Sequence, residues 1–199
     1  MTRIKFCGLR TLDDVFAVNE IFPEYVGFVF APKSKRFVTH EQADKFRGAL
    51  SKKILAVGVF VNEKISTVAE LLENGTLDAA QLHGNEDDAY IKNLRTLTKK
   101  TIIKAFQIKT ADDITAAEKS LADFVLLDAG AGDGKVFDWR LLKNFRREYF
   151  LAGGLTVDNV GGAIELLNPF AVDVSSGIEV DGKKNFDKMA TFAKTVRGF

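Results

Sequence analysis

Short apolar runs alternate with amphipathic segments along the length of the chain. The apolar runs have the length of buried strands, and the segments between them are typical of surface helices. Strands that alternate with helices pair in parallel and are connected by right-handed crossovers. The predicted strands are residues 4–8, 25–30, 54–60, 77–82, 101–106, 122–128, 149–152 and 170–174.

The number of strand-then-helix units predicts whether the sheet stays open or closes into a barrel. Eight strand-then-helix units, spaced roughly 25 residues apart, predict an α/β fold that closes into a single (β/α)8 TIM barrel, with residues 1–199 as one domain. Because that fold usually takes about 250 residues, its loops must be short. The alternative is an open, doubly wound sheet. It is disfavoured because no dinucleotide-binding fingerprint follows the first strand.

Several helix starts carry capping signals. Thr11 with Asp14, and Thr39 with Gln42, have the spacing of capping boxes. The acidic run at 85–88 is predicted to lie in the first turn of a helix, where the helix dipole favours negative charge. Helices are predicted to begin at 11, 39, 64, 85, 111 and 137, and the last at about 185.

The last two predicted strands end in small residues. The seventh runs into Gly153 and Gly154, and the eighth into the sequence Ser-Ser-Gly at 175–177. Glycine lets the backbone turn sharply and approach a ligand closely. If a helix begins directly after each of these two loops, which we call the late loops, its free N–H groups favour an anion. Side by side, the late loops would bind phosphate, and in this fold such a site commonly follows strands seven and eight.

Composition excludes several classes of partner. The net charge of +1, from 28 basic and 27 acidic residues, gives no signal for binding nucleic acid, a membrane or a polyanion. One cysteine fits a reducing compartment, and neither a signal peptide nor a membrane-spanning run is present. We therefore expect a cytoplasmic protein with a phosphorylated small-molecule substrate. A monomer is also expected, although no sequence feature carries that expectation.

Two residues at predicted strand ends can exchange protons. Cys7 ends strand one and is either a small buried hydrophobe or a general base, whose thiol pKa the nearby phosphate-binding loops would lower. Asp128 ends strand six and is either a helix cap or lysine partner, or a general acid whose pKa a partly apolar mouth would raise. Together they offer one base and one acid.

Other polar residues lie near the same ends. Arg36 belongs either to a solvated basic loop or to a site that binds a substrate carboxylate. His83 ends strand four and is more typical of a loop-orienting residue, and a lone histidine there argues against a metal site. Asp173 is predicted to be structural, and Glu179 would repel a phosphate unless it points away.

The order of short motifs resembles one known family. Each motif is weak alone, but the set is specific and runs from Lys5 to Glu179. It resembles the phosphoribosylanthranilate isomerases of tryptophan biosynthesis. The motifs are Lys-Phe-Cys-Gly at 5–8, Gly-Phe-Val-Phe at 27–30, Ser-Lys-Arg at 34–36, Val-Gly-Val-Phe-Val-Asn at 57–62, Gln-Leu-His-Gly at 81–84, Leu-Asp at 127–128, Gly-Asp-Gly-Lys-Val-Phe-Asp-Trp at 132–139, Leu-Ala-Gly-Gly-Leu at 151–155 and Asp-Val-Ser-Ser-Gly-Ile-Glu at 173–179.

The resemblance implies an Amadori rearrangement on a (β/α)8 barrel, with no metal and no cofactor. N-(5-phosphoribosyl)anthranilate would become 1-(2-carboxyphenylamino)-1-deoxyribulose 5-phosphate. The family's general base falls on Cys7 and its general acid on Asp128. Asp128 would protonate the ribose ring oxygen to give a Schiff base, and Cys7 would take the proton from C2.

The resemblance also assigns binding residues. The arginine for the anthranilate carboxylate falls on Arg36, and the phosphate-binding positions fall on Gly154, Ser176 and Gly177. His83 is grouped with these substrate-binding residues.

Three positions depart from the family pattern. Lys35 stands where proline is common, so the loop carrying Arg36 is expected to be less preorganised, and Val157 also replaces a common proline. Asp133 brings a negative charge into a glycine-rich loop, which would weaken binding of a dianionic substrate by roughly 1 kcal/mol if unscreened.

Two other functions remain open at this point. A related phosphosugar barrel, such as a histidine-pathway isomerase or an indole-forming synthase, is the first. The histidine-pathway enzymes would require aspartates at the ends of strands one and five, and Cys7 and the sequence at 106–107 do not supply them. The second is a catalytically silent phosphate-binding module, which has no need of Cys7 or Asp128.

Overall fold

Eight parallel strands close into a barrel in the computed structural model, which describes residues 1–128, 139–142 and 144–199. Each strand pairs with its neighbours in chain order, and β1 closes the ring by pairing with β8. The predicted α/β barrel is therefore confirmed. The strands are β1 (Arg3–Cys7), β2 (Tyr25–Val29), β3 (Leu55–Phe60), β4 (Ala79–Leu82), β5 (Thr101–Gln107), β6 (Phe124–Asp128), β7 (Tyr149–Ala152) and β8 (Ala171–Val174).

Seven α-helices lie outside the strands in the described part of the chain. The two predicted capping boxes are present, with Thr11 capping α1 and Thr39 capping α2 through side-chain bonds to the third helical residue. None of these helices combines the length and the apolar character needed to cross a membrane. They are α1 (Leu12–Ile21), α2 (His40–Ala49), α3 (Ile65–Glu73), α4 (Asp88–Leu97), α5 (Ala111–Lys119), α6 (Val160–Leu167) and α7 (Phe186–Arg197).

Three predicted helix starts differ from the structure. The sixth helix was expected to open at 137–139; residues 137 and 138 lie outside the described residues, and Trp139–Leu142 forms a short 3-10 helix. After β8 the chain forms a 3-10 helix, Ser176–Ile178, and then a two-stranded hairpin of β9 (Glu179–Val180) and β10 (Lys183–Lys184). Glu86 precedes α4 instead of lying in its first turn, whereas Asp87 caps that helix.

The barrel interior is closed at the N-terminal ends of the strands. Rings of Tyr25, Phe124, Phe150 and Phe170 contact one another there, with centroids 4.7–5.9 Å apart. Aromatic pairs at this spacing bury a large apolar area in a fixed geometry. The C-terminal ends of the strands, where chemistry occurs in this fold, lie at the opposite end of the barrel.

Candidate active site

One cavity of about 350 Å³ lies at the C-terminal mouth of the barrel. It brings together six of the seven residues singled out from the sequence, from six different strand ends or the loops that follow them. Its volume lies in the range typical of sites for small molecules. The six residues are Cys7, Arg36, His83, Asp128, Gly154 and Ser176.

The seventh, Gly177, holds the late loops together. A Cβ at this position would collide with the backbone carbonyl oxygen of Leu155, so only glycine allows this approach. The late loops thus lie side by side, as predicted. Gly153 and Gly154 have φ angles of 94° and 66°, a left-handed conformation that glycine adopts without strain.

The elements after the late loops differ from the prediction. The first α-helix after Gly154 begins only at Val160, and β8 is followed by the 3-10 helix Ser176–Ile178. Neither loop therefore runs directly into the first turn of an α-helix. Any anion held here would be bound by turn backbone, which can also present N–H groups to a concave site.

Cys7 lies at the bottom of the cavity with a largely buried side chain. Burial raises the pKa of its thiol, because the charged thiolate loses hydration, while the positive charges of Lys5 and Lys184 oppose the increase. The predicted lowering of this pKa is therefore wrong in direction. A positive environment around Cys7 was predicted, but the loss of hydration around the sulfur has the larger effect on the thiol pKa.

Below the thiol lies a buried ion pair. Lys5 Nζ donates to Asp173 Oδ1 at 2.9 Å, and the lysine is fully buried. Asp173 also lines the cavity, and its predicted structural role stays a prediction. Lys5 was missed, although its place in an apolar strand, two residues before Cys7, puts both side chains on the inward face.

Asp128 faces His83 across the mouth. His83 Nε2 lies 3.8 Å from Asp128 Oδ2, and its Nδ1 lies 2.9 Å from Gln81 Nε2. Since an amide nitrogen donates, Nδ1 accepts and the imidazole proton is on Nε2, directed towards Asp128. Burial lowers the pKa of His83, although the charge of Asp128 opposes this, and the ring is neutral at pH 7. The role of Asp128 as an acid stays a prediction.

The loop that carries His83 is fixed by Glu86. This buried carboxylate accepts from the backbone N–H of Asn62 at 2.6 Å and of Gly84 at 2.8 Å. Lys104 Nζ lies 3.3 Å from the Glu86 carboxylate and donates to the carbonyl of Gly84 at 2.7 Å. Glu86 was predicted to support a helix start; it instead binds the backbone of the loop that follows β4 and His83.

Arg36 reaches the mouth from the loop after β2. Its Nε and Nη2 donate to the two carboxylate oxygens of Glu179 at 2.8 and 2.7 Å. Burial disfavours the charge of Glu179, but hydrogen bonds from Arg36 and Lys184 dominate and lower its pKa to about 2. Glu179 is thus paired with two cations, Arg36 and Lys184, and its effect on a bound phosphate stays a prediction. The stem of Arg36 passes over Gly8, where a Cβ would collide with it.

The hairpin after β8 adds a second cation. Lys184 Nζ donates to Glu179 Oε1 at 2.8 Å and to the carbonyl of Ser175 at 2.9 Å, and Ser175 Oγ donates to the carbonyl of Cys7 at 2.9 Å. Lys184 was not singled out from the sequence, because it lies in a short polar stretch without a local signal.

Of the departures from the family pattern, Lys35 lies in a loop that makes a contact with α1's leading segment. The carbonyl of Lys35 accepts a hydrogen bond of 2.8 Å from Arg10, so the loop is tied down without a proline. Asp133 lies outside the described residues. Within the described ranges, no three His, Cys, Asp or Glu side chains are grouped as metal ligands, and the absence of a metal from the reaction stays a prediction.

Comparison with known proteins gives a consistent result. A sequence model described as N-(5'-phosphoribosyl)anthranilate (PRA) isomerase matches residues 4–195. The N-(5'-phosphoribosyl)anthranilate isomerase of Endomicrobium trichonymphae is 46% identical over 202 residues, which cover 99% of each chain. The crystal structure of phosphoribosyl anthranilate isomerase from Thermotoga maritima covers all of both chains at 36% identity, with a TM-score of 0.91.

A second solved structure adds a ligand. It is a phosphoribosyl anthranilate isomerase in complex with reduced 1-(o-carboxyphenylamino)-1-deoxyribulose 5-phosphate, 36% identical over the full length of both chains, with a TM-score of 0.89. Since the family model and the curated relative both span nearly the whole chain, the protein belongs to the N-(5'-phosphoribosyl)anthranilate isomerase family.

Proposed function

We propose that the barrel mouth converts N-(5'-phosphoribosyl)anthranilate into 1-(2-carboxyphenylamino)-1-deoxyribulose 5-phosphate, in tryptophan biosynthesis, with Cys7 as base and Asp128 as acid. One observation carries this proposal: a single cavity holds a thiol, a carboxyl group, a guanidinium and the late loops. A chain of the family has the reduced product bound, which supports the same chemistry here.

The reaction needs no redox partner, because substrate and product are isomers. Two proton transfers lead to the enolamine, and the final tautomerisation adds a proton at C1 and removes one from the C2 hydroxyl. Asp128 gives a proton to the ribose ring oxygen while the C1–O bond breaks and the anilino nitrogen lone pair forms the Schiff base. The Cys7 thiolate then takes the proton from C2, and the electrons of the C2–H bond neutralise the iminium to give an enolamine. Tautomerisation of the enolamine to the ketone completes the reaction.

The environment of each group suits its role. The His83 imidazole borders the Asp128 carboxyl at the mouth, with Nε2 3.8 Å from Oδ2. The high thiol pKa makes the thiolate of Cys7 a strong base once formed, although the thiolate fraction at neutral pH is small. A cation beside the sulfur is therefore needed for the base to be available.

Substrate binding uses the remaining charges of the mouth. Glu179 takes the Nε and Nη2 side of Arg36, and the other edge of the guanidinium, with Nη1, is assigned to the anthranilate carboxylate. The phosphate is assigned to the late loops at Gly154, Ser176 and Gly177. This separation puts the two anionic ends of the substrate on either side of Cys7.

The two other functions that the sequence left open gain no support. A histidine-pathway isomerase would require carboxylates at the ends of β1 and β5, where Cys7 and Gln107 stand. A silent phosphate-binding module does not account for a thiol and a carboxyl group in one cavity.

The test is turnover of N-(5'-phosphoribosyl)anthranilate generated in situ, followed by the loss of anthranilate fluorescence. We expect activity in the parent and a fall of roughly 10²-fold or more in kcat for Cys7→Ala and for Asp128→Asn. Asp112→Asn, an exposed aspartate in the first turn of α5, is the matched control and should keep full activity. A folded parent without turnover overturns the proposal.

A further inference from the structure

The buried Lys5–Asp173 pair lies directly below the sulfur of Cys7. We propose that Lys5, held by Asp173, is a positioning residue that sets how readily the Cys7 thiol loses its proton. For its part in catalysis this rests on the proposed function, because it names what controls the base of that reaction. The effect of the lysine on the thiol itself can be measured without any substrate.

Register places the three groups together. Lys5 and Cys7 are two residues apart on β1, so both side chains are directed into the barrel. Lys5 also pairs in register with Asp173, where β1 and β8 close the barrel. The lysine is fully buried and its ammonium lies 2.9 Å from Asp173 Oδ1. An amine with this much burial and one carboxylate partner has donors left for a second acceptor.

Gly27 on β2 leaves the space in which the ammonium and the thiol meet. A Cβ on Gly27 would lie 2.7 Å from Cys7 Sγ and 3.2 Å from Lys5 Nζ, so both atoms border the same small volume. No side chain therefore separates the cation from the sulfur. The ammonium, paired with Asp173, therefore lies close enough to the sulfur for its positive charge to favour the thiolate.

The charges around Cys7 act in opposite directions. From β1 and β10, Lys5 and Lys184 favour the thiolate; from β8, Asp173 disfavours it. Arg36 also faces the sulfur, but its guanidinium is paired with Glu179. Burial works against the charge on Lys5, yet the negative charges of Asp173 and Cys7 outweigh this and raise its pKa, so the cation persists.

Stability alone gives a weak reason for such a pair. Replacing a buried ion pair by apolar side chains of similar volume is often neutral or stabilising, because both ions lose their hydration. Most of the interior of this barrel is apolar, including Val57, Ile103 and Leu126 at comparable depth. A charged pair below the catalytic thiol therefore gains its value from its effect on the sulfur.

The experiment uses the fact that Cys7 is the only thiol in the chain. The rate of alkylation by iodoacetamide, measured against pH on the folded protein, reports the thiol pKa directly. We expect Lys5→Met to raise that pKa by at least one unit, a tenfold smaller thiolate fraction at a given pH. Asp173→Asn should lower it, because Lys5 is then left with the sulfur as its only anionic partner.

Lys5→Met and Asp173→Asn are expected to shift the thiol pKa in opposite directions. A loss of packing would shift the thiol pKa in the same direction in both variants, so the two signs separate an electrostatic role from a structural one. Lys104→Met is the matched control: it removes another buried lysine, paired with Glu86, and should leave the thiol pKa within about 0.3 units. A thiol pKa that is unchanged or lower in Lys5→Met overturns the proposal. If that variant does not fold, Asp173→Asn decides, and an unchanged or higher thiol pKa there overturns it equally.

The catalytic readout is kept separate. In variants that fold, the acid limb of the pH profile of kcat/KM should move by the same amount and in the same direction as the thiol pKa. If the parent has no turnover, the proposed function fails while the alkylation result still stands. If turnover is present but the acid limb of the kcat/KM profile does not follow the thiol pKa from one variant to the next, Lys5 does not act through Cys7.

Discussion

Arg36 and Glu179 are joined by a bidentate ion pair that links the loop after β2 to the hairpin after β8. Both carboxylate oxygens of Glu179 accept from the guanidinium, and Lys184 approaches the same carboxylate at 2.8 Å. A long, flexible side chain is thereby held in one rotamer before any ligand arrives. Ordering a free arginine side chain costs about 2 kcal/mol of rotamer entropy. Most of that cost does not fall on substrate binding, because the ion pair has already ordered Arg36.

Loss of this restraint should weaken substrate binding more than turnover. We expect Glu179→Ala to raise KM for N-(5'-phosphoribosyl)anthranilate about tenfold and to change kcat less than threefold, because the proposed function assigns Arg36 to a part of the substrate remote from the reacting atoms. Glu179→Gln keeps one acceptor and should lie between this variant and the parent. Steady-state kinetics decide the matter. A lower KM in Glu179→Ala would show that the carboxylate competes with the substrate.

The same pair should make stability depend on pH. The pKa of Glu179 is about 2, below its ordinary value of 4.5, so the folded state favours the ionised form. The resulting stabilisation is fully present above pH 4.5 and is lost as the pH falls through about 2; we expect about 2 kcal/mol after allowance for screening. Urea unfolding of the parent and Glu179→Gln should give curves that differ near neutral pH and converge near pH 2. A constant difference across that range would contradict this.

Gln81 should fix the tautomer of His83. In the parent, a nitrogen-detected NMR spectrum is expected to show His83 protonated on Nε2, and His40 serves as the internal reference because it is the only other histidine. Gln81→Met removes the donor to Nδ1, so the two tautomers should become mixed and kcat should fall about tenfold.

The stability of that variant gives an independent check. Gln81 Oε1 is buried and, among the described residues, has no hydrogen-bond partner. Replacing the amide by methionine also removes this unsatisfied oxygen, so the free energy of unfolding should change by less than about 1 kcal/mol. A large loss of stability together with an unchanged tautomer would show that Gln81 is a packing residue.

Gly177→Ala should separate the late loops. The new methyl group meets the Leu155 carbonyl, so the loops must move apart, with a loss of about 1–3 kcal/mol in stability and weaker binding of inorganic phosphate. Gly162→Ala is the matched control, because a Cβ there meets nothing within 4 Å and glycine is unfavourable inside α6. That variant should be more stable by about 0.5–1 kcal/mol. Thermal unfolding and phosphate titration measure both effects.

Local patterns were enough to predict the barrel and its strands. An apolar run such as Leu55–Phe60 is largely buried on both faces, and the preceding helix α2 begins at the capping box of Thr39 that the sequence predicts. Position at a strand end was also enough to place Cys7, Asp128 and His83 in one cavity, because all parallel strands point the same way.

Relations that depend on register could not be predicted in this way. The contact of Lys5 with Asp173 arises from the pairing of the first strand with the last, and no local periodicity encodes that alignment. The direction of the Cys7 pKa failed for a related reason: the balance between burial and charge depends on how deep the sulfur lies, and a strand-end position does not give depth.

Closure between β1 and β8 has a consequence for the order in which the protein matures. While the chain is being synthesised, Lys5 emerges early and Asp173 only near the end, so a barrel that lacks its last strand has an inward-facing ammonium with no counter-ion. Two features destabilise such an intermediate, namely an unpaired sheet edge and a buried charge without a counter-ion. The nascent chain therefore gains little free energy from folding before β8 is available, and Cys7 acquires its charged surroundings only when β1 pairs with β8.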